Sequence, residues 1–174
     1  METKIFTTFC FDSSAFIDLY RHYGQPLIPE IWVELDKFFA DGKIISHKIV
    51  FDELTTSSKR PDGLSQWISS KRSSFKDMTG NQALHVASIV KEFPGLIQPE
   101  REKDQADPWL IALAIEERAQ LKLFTQERDI IIVSQESPIR PQKIPAVCKH
   151  YCIQHFNLFE FFNFNGWKLR LEKA

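Results

Sequence analysis

Short apolar runs alternate with longer segments of helical periodicity along this chain, and that alternation restricts it to helices packed on a largely parallel sheet. Ile5 to Phe11 is rich in Phe, Thr and Cys and stops at Asp12, which reads as a buried strand. Lys122 to Thr125 and Ile130 to Ser134 read the same way. Helices are expected near 14–23, 30–41, 47–57, 64–75, 82–92, 108–120 and 156–164. A length of 174 residues suits one domain, 1–174, with a substantial core, and the loosest stretch, 55–64, reads as a loop inside it.

Composition removes several classes of function. Hydrophobic residues make up 43% and charged residues 26%, which is globular and not disordered. The formal net charge of -1 argues against coating nucleic acid or an anionic membrane by bulk electrostatics. That balance hides opposed blocks, however: -4 over 1–58, +4 over 59–76, -5 over 77–136 and +4 over 137–174. No apolar run reaches the roughly 18 residues of a bilayer span, and the start METKIFTTFCFD lacks the marks of a signal peptide, so a cytoplasmic protein is expected. Three sparse cysteines, Cys10, Cys148 and Cys152, fit a reducing compartment. With only 6 Gly there is no G-x-x-x-x-G-K-[ST], G-x-G-x-x-G or G-x-S-x-G, which sets aside phosphate-cradling loops and hydrolase elbows.

Acidic residues carry the chemistry. In a parallel sheet the carboxyl ends of the strands form the functional edge, which selects Asp12 after the first strand and Glu127 after LKLFT. Asp107 is expected to cap the helix that follows, with Pro108 at its first position. It tops the apolar stripe Leu110, Ile111, Ala114 and Ile115, while Glu116, Glu117 and Arg118 fall on the far side. In SHKIVFDELTTS, Glu53 shares a face with Ile49 and Val50, whereas Asp52 faces out with Lys48. Asp18 falls off its stripe and reads as a surface residue. Clustered carboxylates repel one another unless a cation sits among them, and hard oxygen donors favour Mg²⁺ or Mn²⁺. Such ions activate water and stabilise the leaving oxygen of a phosphodiester.

FDSSAFI at 11–17, VFDEL at 50–54, ADPWLIALA at 106–114 and FTQE at 124–127 together resemble the PIN-domain ribonuclease family, whose bacterial members are often the toxins of toxin–antitoxin pairs. The resemblance spans about 10 to 160 and implies a three-layer α/β/α sandwich with a mainly parallel sheet, a Mg²⁺ or Mn²⁺ site and endonucleolytic cleavage of RNA. By position it implies metal ligation by Asp12, Glu53, Asp107 and Glu127, with Ser14 and Thr125 placed for water or phosphate. The family usually has Asp where this chain has Glu127, so Glu127 binds metal directly, acts through water or stands outside the ligand set. Asp104 and Asp129 are lesser candidates. An antitoxin partner is implied, and a catalytically inactive RNA- or protein-binding module stays open beside the enzyme.

Three further features have competing readings. Lys59, Arg60, Lys71, Arg72 and Lys76, interleaved with Trp67 and Phe75, suit a phosphate-binding rim in which Lys71 and Arg72 touch substrate, or else an amphipathic helix with its aromatics in the core. Cys148, His150, Cys152 and His155 are spaced too tightly for the usual zinc pairs and read as buried thiols and edge histidines. The tail FNLFEFFNFNGW reads as core or as a subunit interface, which leaves a homodimer or antitoxin surface open.

Overall fold

The computed structural model describes residues 6–56, 62–98, 100, 105–123 and 128–169. Five strands form one sheet: β1 (Phe6–Phe11), β2 (Ile44–His47), β3 (Phe75–Lys76), β4 (Arg128–Val133) and β5 (Gln154–Phe156). Their order is β3-β2-β1-β4-β5 and every pairing is parallel. Eight α-helices accompany them among the described residues: α1 (Ser13–His22), α2 (Pro29–Ala40), α3 (Lys48–Thr56), α4 (Asp62–Ser69), α5 (Gly80–Glu92), α6 (Ala106–Leu123), α7 (Ile144–His150) and α8 (Leu158–Phe164). None of them is long and apolar enough to cross a membrane.

The two-residue period of β1 builds the layers. Phe9 and Phe11 point to one face, where Phe9 meets Phe161 of α8 at 4.8 Å and Phe38 of α2 at 6.3 Å between ring centroids. Phe11 meets Phe16 of α1 and Phe161, each at 5.1 Å. Cys10 points to the other face, close to Glu117 of α6 and Cys148 of α7. There α6 lies between the sheet and α5, and Leu110 to Leu113 and Ala114 are all fully buried. The result is the expected α/β/α sandwich, with all five strands parallel.

Helix and strand boundaries depart from the sequence expectations in three places. Lys122 and Leu123 end α6 and are not a strand; Leu and Lys are good helix formers, and neither is β-branched. The expected helix over 64–75 stops at Ser69, followed by a 3-10 turn at Arg72–Ser74 and the two-residue β3. The segment around Cys148, where no helix is expected, is α7, which Pro145 opens; the chain then turns through Cys152 at φ 53° into β5. Strands as short as β2, β3 and β5 leave too few residues to show a period.

Phe161→Ala removes a ring that packs against Phe9, Phe11, Phe38 and Trp167, and should cost about 3–5 kcal/mol in chemical denaturation. Phe159→Ala, on the exposed side of the same helix, should stay within about 0.5 kcal/mol of the parent.

Candidate functional site

Sheet order decides where a site can form. From β1 the chain builds outward through β2 to β3, then returns to add β4 and β5 on the other side, so the topological switch lies between the carboxyl ends of β1 and β4. Asp12 follows β1 directly and its N–H donates to Val133 O at 2.9 Å, which locks the two strand ends together. Three residues past β4 stands Glu136.

Asp12 is the N-cap of α1 and only 3% exposed. Its Oδ2 accepts the Ser14 N–H at 3.0 Å and the Ser14 hydroxyl at 2.5 Å, and that hydroxyl in turn accepts the Gln135 N–H at 3.0 Å. Its Oδ1 is buried and has no hydrogen-bond partner among the described residues. Burial raises the Asp12 pKa above the usual carboxylate range even though the Ser14 bonds pull it down.

Asp107 stands in the first turn of α6, one residue inside the helix start and not at the expected cap. Its pKa is pushed up to about 8, first by burial, then by the negative charges of Asp12 and Glu136; Lys143 opposes the shift and Glu53 of α3 adds to it. The structure thus gathers Asp12, Glu53, Asp107 and Glu136 into one electrostatic neighbourhood. Glu136 is held at both oxygens: Oε1 lies 3.1 Å from Lys143 Nζ, and Oε2 accepts the Ile144 N–H at 2.8 Å.

A buried polar chain positions the opening of α6. The Ile49 N–H donates to His47 Nδ1 at 3.2 Å, so His47 Nε2 carries the hydrogen shared with Gln82 Oε1, also at 3.2 Å. Gln82 Nε2 donates to Glu116 at 2.7 Å, and the Thr79 hydroxyl donates to the same carboxylate at 2.8 Å. His47 also stacks on Trp109, two residues after Asp107, with centroids 5.5 Å apart. Burial lowers the His47 pKa, so the ring is neutral at pH 7. Glu116, expected on the far face, is therefore buried, because α5 covers that side of α6.

Of the residues singled out from sequence, Asp12, Glu53 and Asp107 share this electrostatic neighbourhood, and Ser14 is bonded to Asp12. Thr125, Glu127 and Asp104 lie outside the described residues, as do Lys59 and Arg60. Asp129 sits near the amino end of β4, opposite Thr7, away from the carboxyl edge. Lys71 pairs with Asp36 at 2.7 Å and Arg72 with Asp77 at 2.7 Å, both next to the edge strand β3. Trp67 packs against Trp32 at 4.8 Å, and Phe75 is buried. Cys148 is buried, Cys152 is exposed, His150 pairs with Glu92 at 3.1 Å, and His155 shares a hydrogen bond with Ser134 at 2.8 Å, so these four do not converge.

Glu136 was not among the expected residues. The rule that selected Asp12 also selects it, since Ile130 to Ser134 reads as a strand and Glu136 is the first acid beyond it. The additional strand expected over Lys122 to Thr125 is what selects Glu127 instead.

Four carboxylates with no imidazole among them, one presenting a buried unpartnered oxygen, are a donor set that fits a hard divalent cation. As placed, no three Asp, Glu, His or Cys groups among the described residues stand close enough to share an ion.

A raised acid pKa destabilises the fold once pH exceeds the unfolded value. Between roughly pH 4 and 8 the unfolded Asp107 has lost its proton while the folded one keeps it, so stability falls as pH rises through that window. Asp107→Asn should therefore melt near the parent at pH 4 and above it at pH 8 without metal. A gain of about 2 kcal/mol would appear as roughly 4–8 °C in a thermal scan of a chain this size.

Residues 9–169 match a family described as a domain of unknown function, DUF4411. No curated protein matches the chain.

Proposed function

The chain belongs to the DUF4411 family, and we propose that it is a Mg²⁺- or Mn²⁺-dependent endoribonuclease of PIN type that hydrolyses RNA phosphodiester bonds. The observation that supports this reading is the charge coupling of Asp12, Glu53 and Glu136 to Asp107, which together with burial lifts Asp107 to about 8, beside an Asp12 Oδ1 that is buried and unpartnered among the described residues. Carboxylates held this way carry an unfavourable charge that a divalent cation relieves.

Asp12, Glu53, Asp107 and Glu136 would hold the metal, with Glu136 in the place first expected of Glu127. The ion would supply the positive charge that activates water and stabilises the departing oxygen. The protein's own groups prepare that site. Ser14 fixes the Asp12 carboxylate by two bonds to one oxygen, which leaves the other, without a partner among the described residues, available to a cation. Lys143 holds Glu136 until a cation competes for it, and its ammonium can then turn to a phosphate. The resemblance to toxin PIN domains supports an antitoxin partner that silences the enzyme.

A second reading, a PIN-like module that binds RNA or protein without cutting, is favoured by the Lys143 and Ile144 bonds that occupy both Glu136 oxygens. Cleavage of a long unstructured RNA in Mn²⁺ separates the two. In the enzyme, Asp107→Asn and Glu136→Gln should each lower kcat by about 100-fold or more, the scale of losing one electrostatic contact to a transition state, while Asp52→Asn keeps parental activity. RNA binding by the parent with no manganese-dependent cutting would establish the binding module. Loss of activity in Glu127→Gln but not in Glu136→Gln would return the fourth ligand to Glu127.

Manganese should also raise the parent's melting temperature. At an ion concentration 100 times Kd the gain is about 2.7 kcal/mol, or roughly 5–11 °C, and Asp107→Asn should lose most of it.

A further inference from the structure

A groove of ≈ 410 Å³ opens beside Glu136, lined by Tyr23, Gln135, Ser137, Asn157 and Phe159 among others. That volume suits a small organic ring system and falls in the usual range for ligand clefts. Phe159 is 68% exposed, while its helix neighbours Leu158, Phe161 and Phe162 are buried, so α8 holds one aromatic ring out into the groove. The backbone beneath that ring is fixed by a capping box, with the Glu160 N–H on Asn157 Oδ1 at 2.9 Å and the Asn157 N–H on Glu160 Oε2 at 2.8 Å.

Gln135 joins this groove rigidly to the acidic centre. Its Nε2 donates to Asp18 at 2.6 Å, its Oε1 accepts the Leu158 N–H at 3.0 Å, and its own N–H reaches the Ser14 hydroxyl that holds Asp12. An object seated in the groove is thereby set at a fixed distance from the carboxylates. The chain between β4 and α7, which supplies one wall, also carries exposed Arg140 and half-buried Lys143. It begins the block of net charge +4.

We propose that this groove binds one unpaired nucleobase of a single-stranded RNA, stacked on Phe159, with the neighbouring phosphate delivered to the acidic centre past Arg140 and Lys143. The proposal rests on the ribonuclease reading for its ligand class. A ring face offered to solvent beside polar amides suits base stacking, which every base can satisfy. A duplex keeps its base faces covered by their neighbours and cannot use the groove.

The test is fluorescence anisotropy with a labelled ten-nucleotide unstructured RNA in metal-free buffer, where cutting is suppressed. The parent should bind it at least about tenfold more tightly than Phe159→Ala does, the size expected for one lost base stack. An otherwise identical strand carrying abasic positions, and a duplex of the same length, should bind the parent as weakly as the intact strand binds the variant. Phe159→Ala should melt with the parent, since its ring is exposed. Equal binding by parent and variant, or equal binding of abasic and intact strands, overturns the subsite. If the binding pattern holds but the parent never cuts RNA in Mn²⁺, hydrolysis falls and the subsite stands. If the parent cuts while Phe159→Ala binds as it does, the subsite falls and hydrolysis stands.

Discussion

The pairing of β1 with β4 is the contact on which the rest of the molecule depends. Six residues of each strand run in register, from Phe6 with Arg128 to Phe11 with Val133, and the ladder closes with the Asp12 N–H on Val133 O. A one-residue slip would turn Phe9 and Phe11 away from the aromatic layer of α1, α2 and α8 and put Cys10 in their place. It would also pull Asp12 away from Glu136. Core packing and the acidic edge are therefore set by one register, so selection on either acts on both.

Two polar devices hold that edge against its own repulsion. On the α6 side, His47, Gln82, Thr79 and Glu116 form a buried hydrogen-bonded chain that ties β2 and α5 to the helix opening at Asp107. Such a chain adds rigidity only when every member is satisfied, and here the neutral His47 supplies one donor and one acceptor. On the α1 side, Ser14 and Gln135 do the equivalent for Asp12 and the start of α8. Asp12 is thus fixed by the uncharged Ser14 and Gln135, whereas Lys143 sets a cation against Glu136.

Much of this was legible in the residues themselves. The alternation of apolar runs with helical segments is enough for a parallel α/β sheet, and periodicity separates Glu53 from Asp52 and places Asp107 on the buried stripe. What stayed hidden has physical causes. Lys122 to Thr125 is too short to distinguish helix from strand, and a strand expected there selects Glu127 over Glu136, which follows the stronger β-branched run Ile130 to Val133. Burial of Glu116 could not be read from α6 alone, because it depends on α5 covering the helix from outside. The roles of Lys71 and Trp67 likewise depended on a partner far away in sequence, Asp36 of α2.

The β1–β4 ladder also has a consequence in time. Asp12 is made early, but its strand partner and Glu136 come more than a hundred residues later. At synthesis rates of about 5–20 residues per second, the two halves of the acidic edge are separated by roughly 6–25 seconds of translation. No nascent chain shorter than β4 can assemble the centre. A chain that cuts RNA would therefore stay harmless to the message and ribosome making it until its central sheet can close.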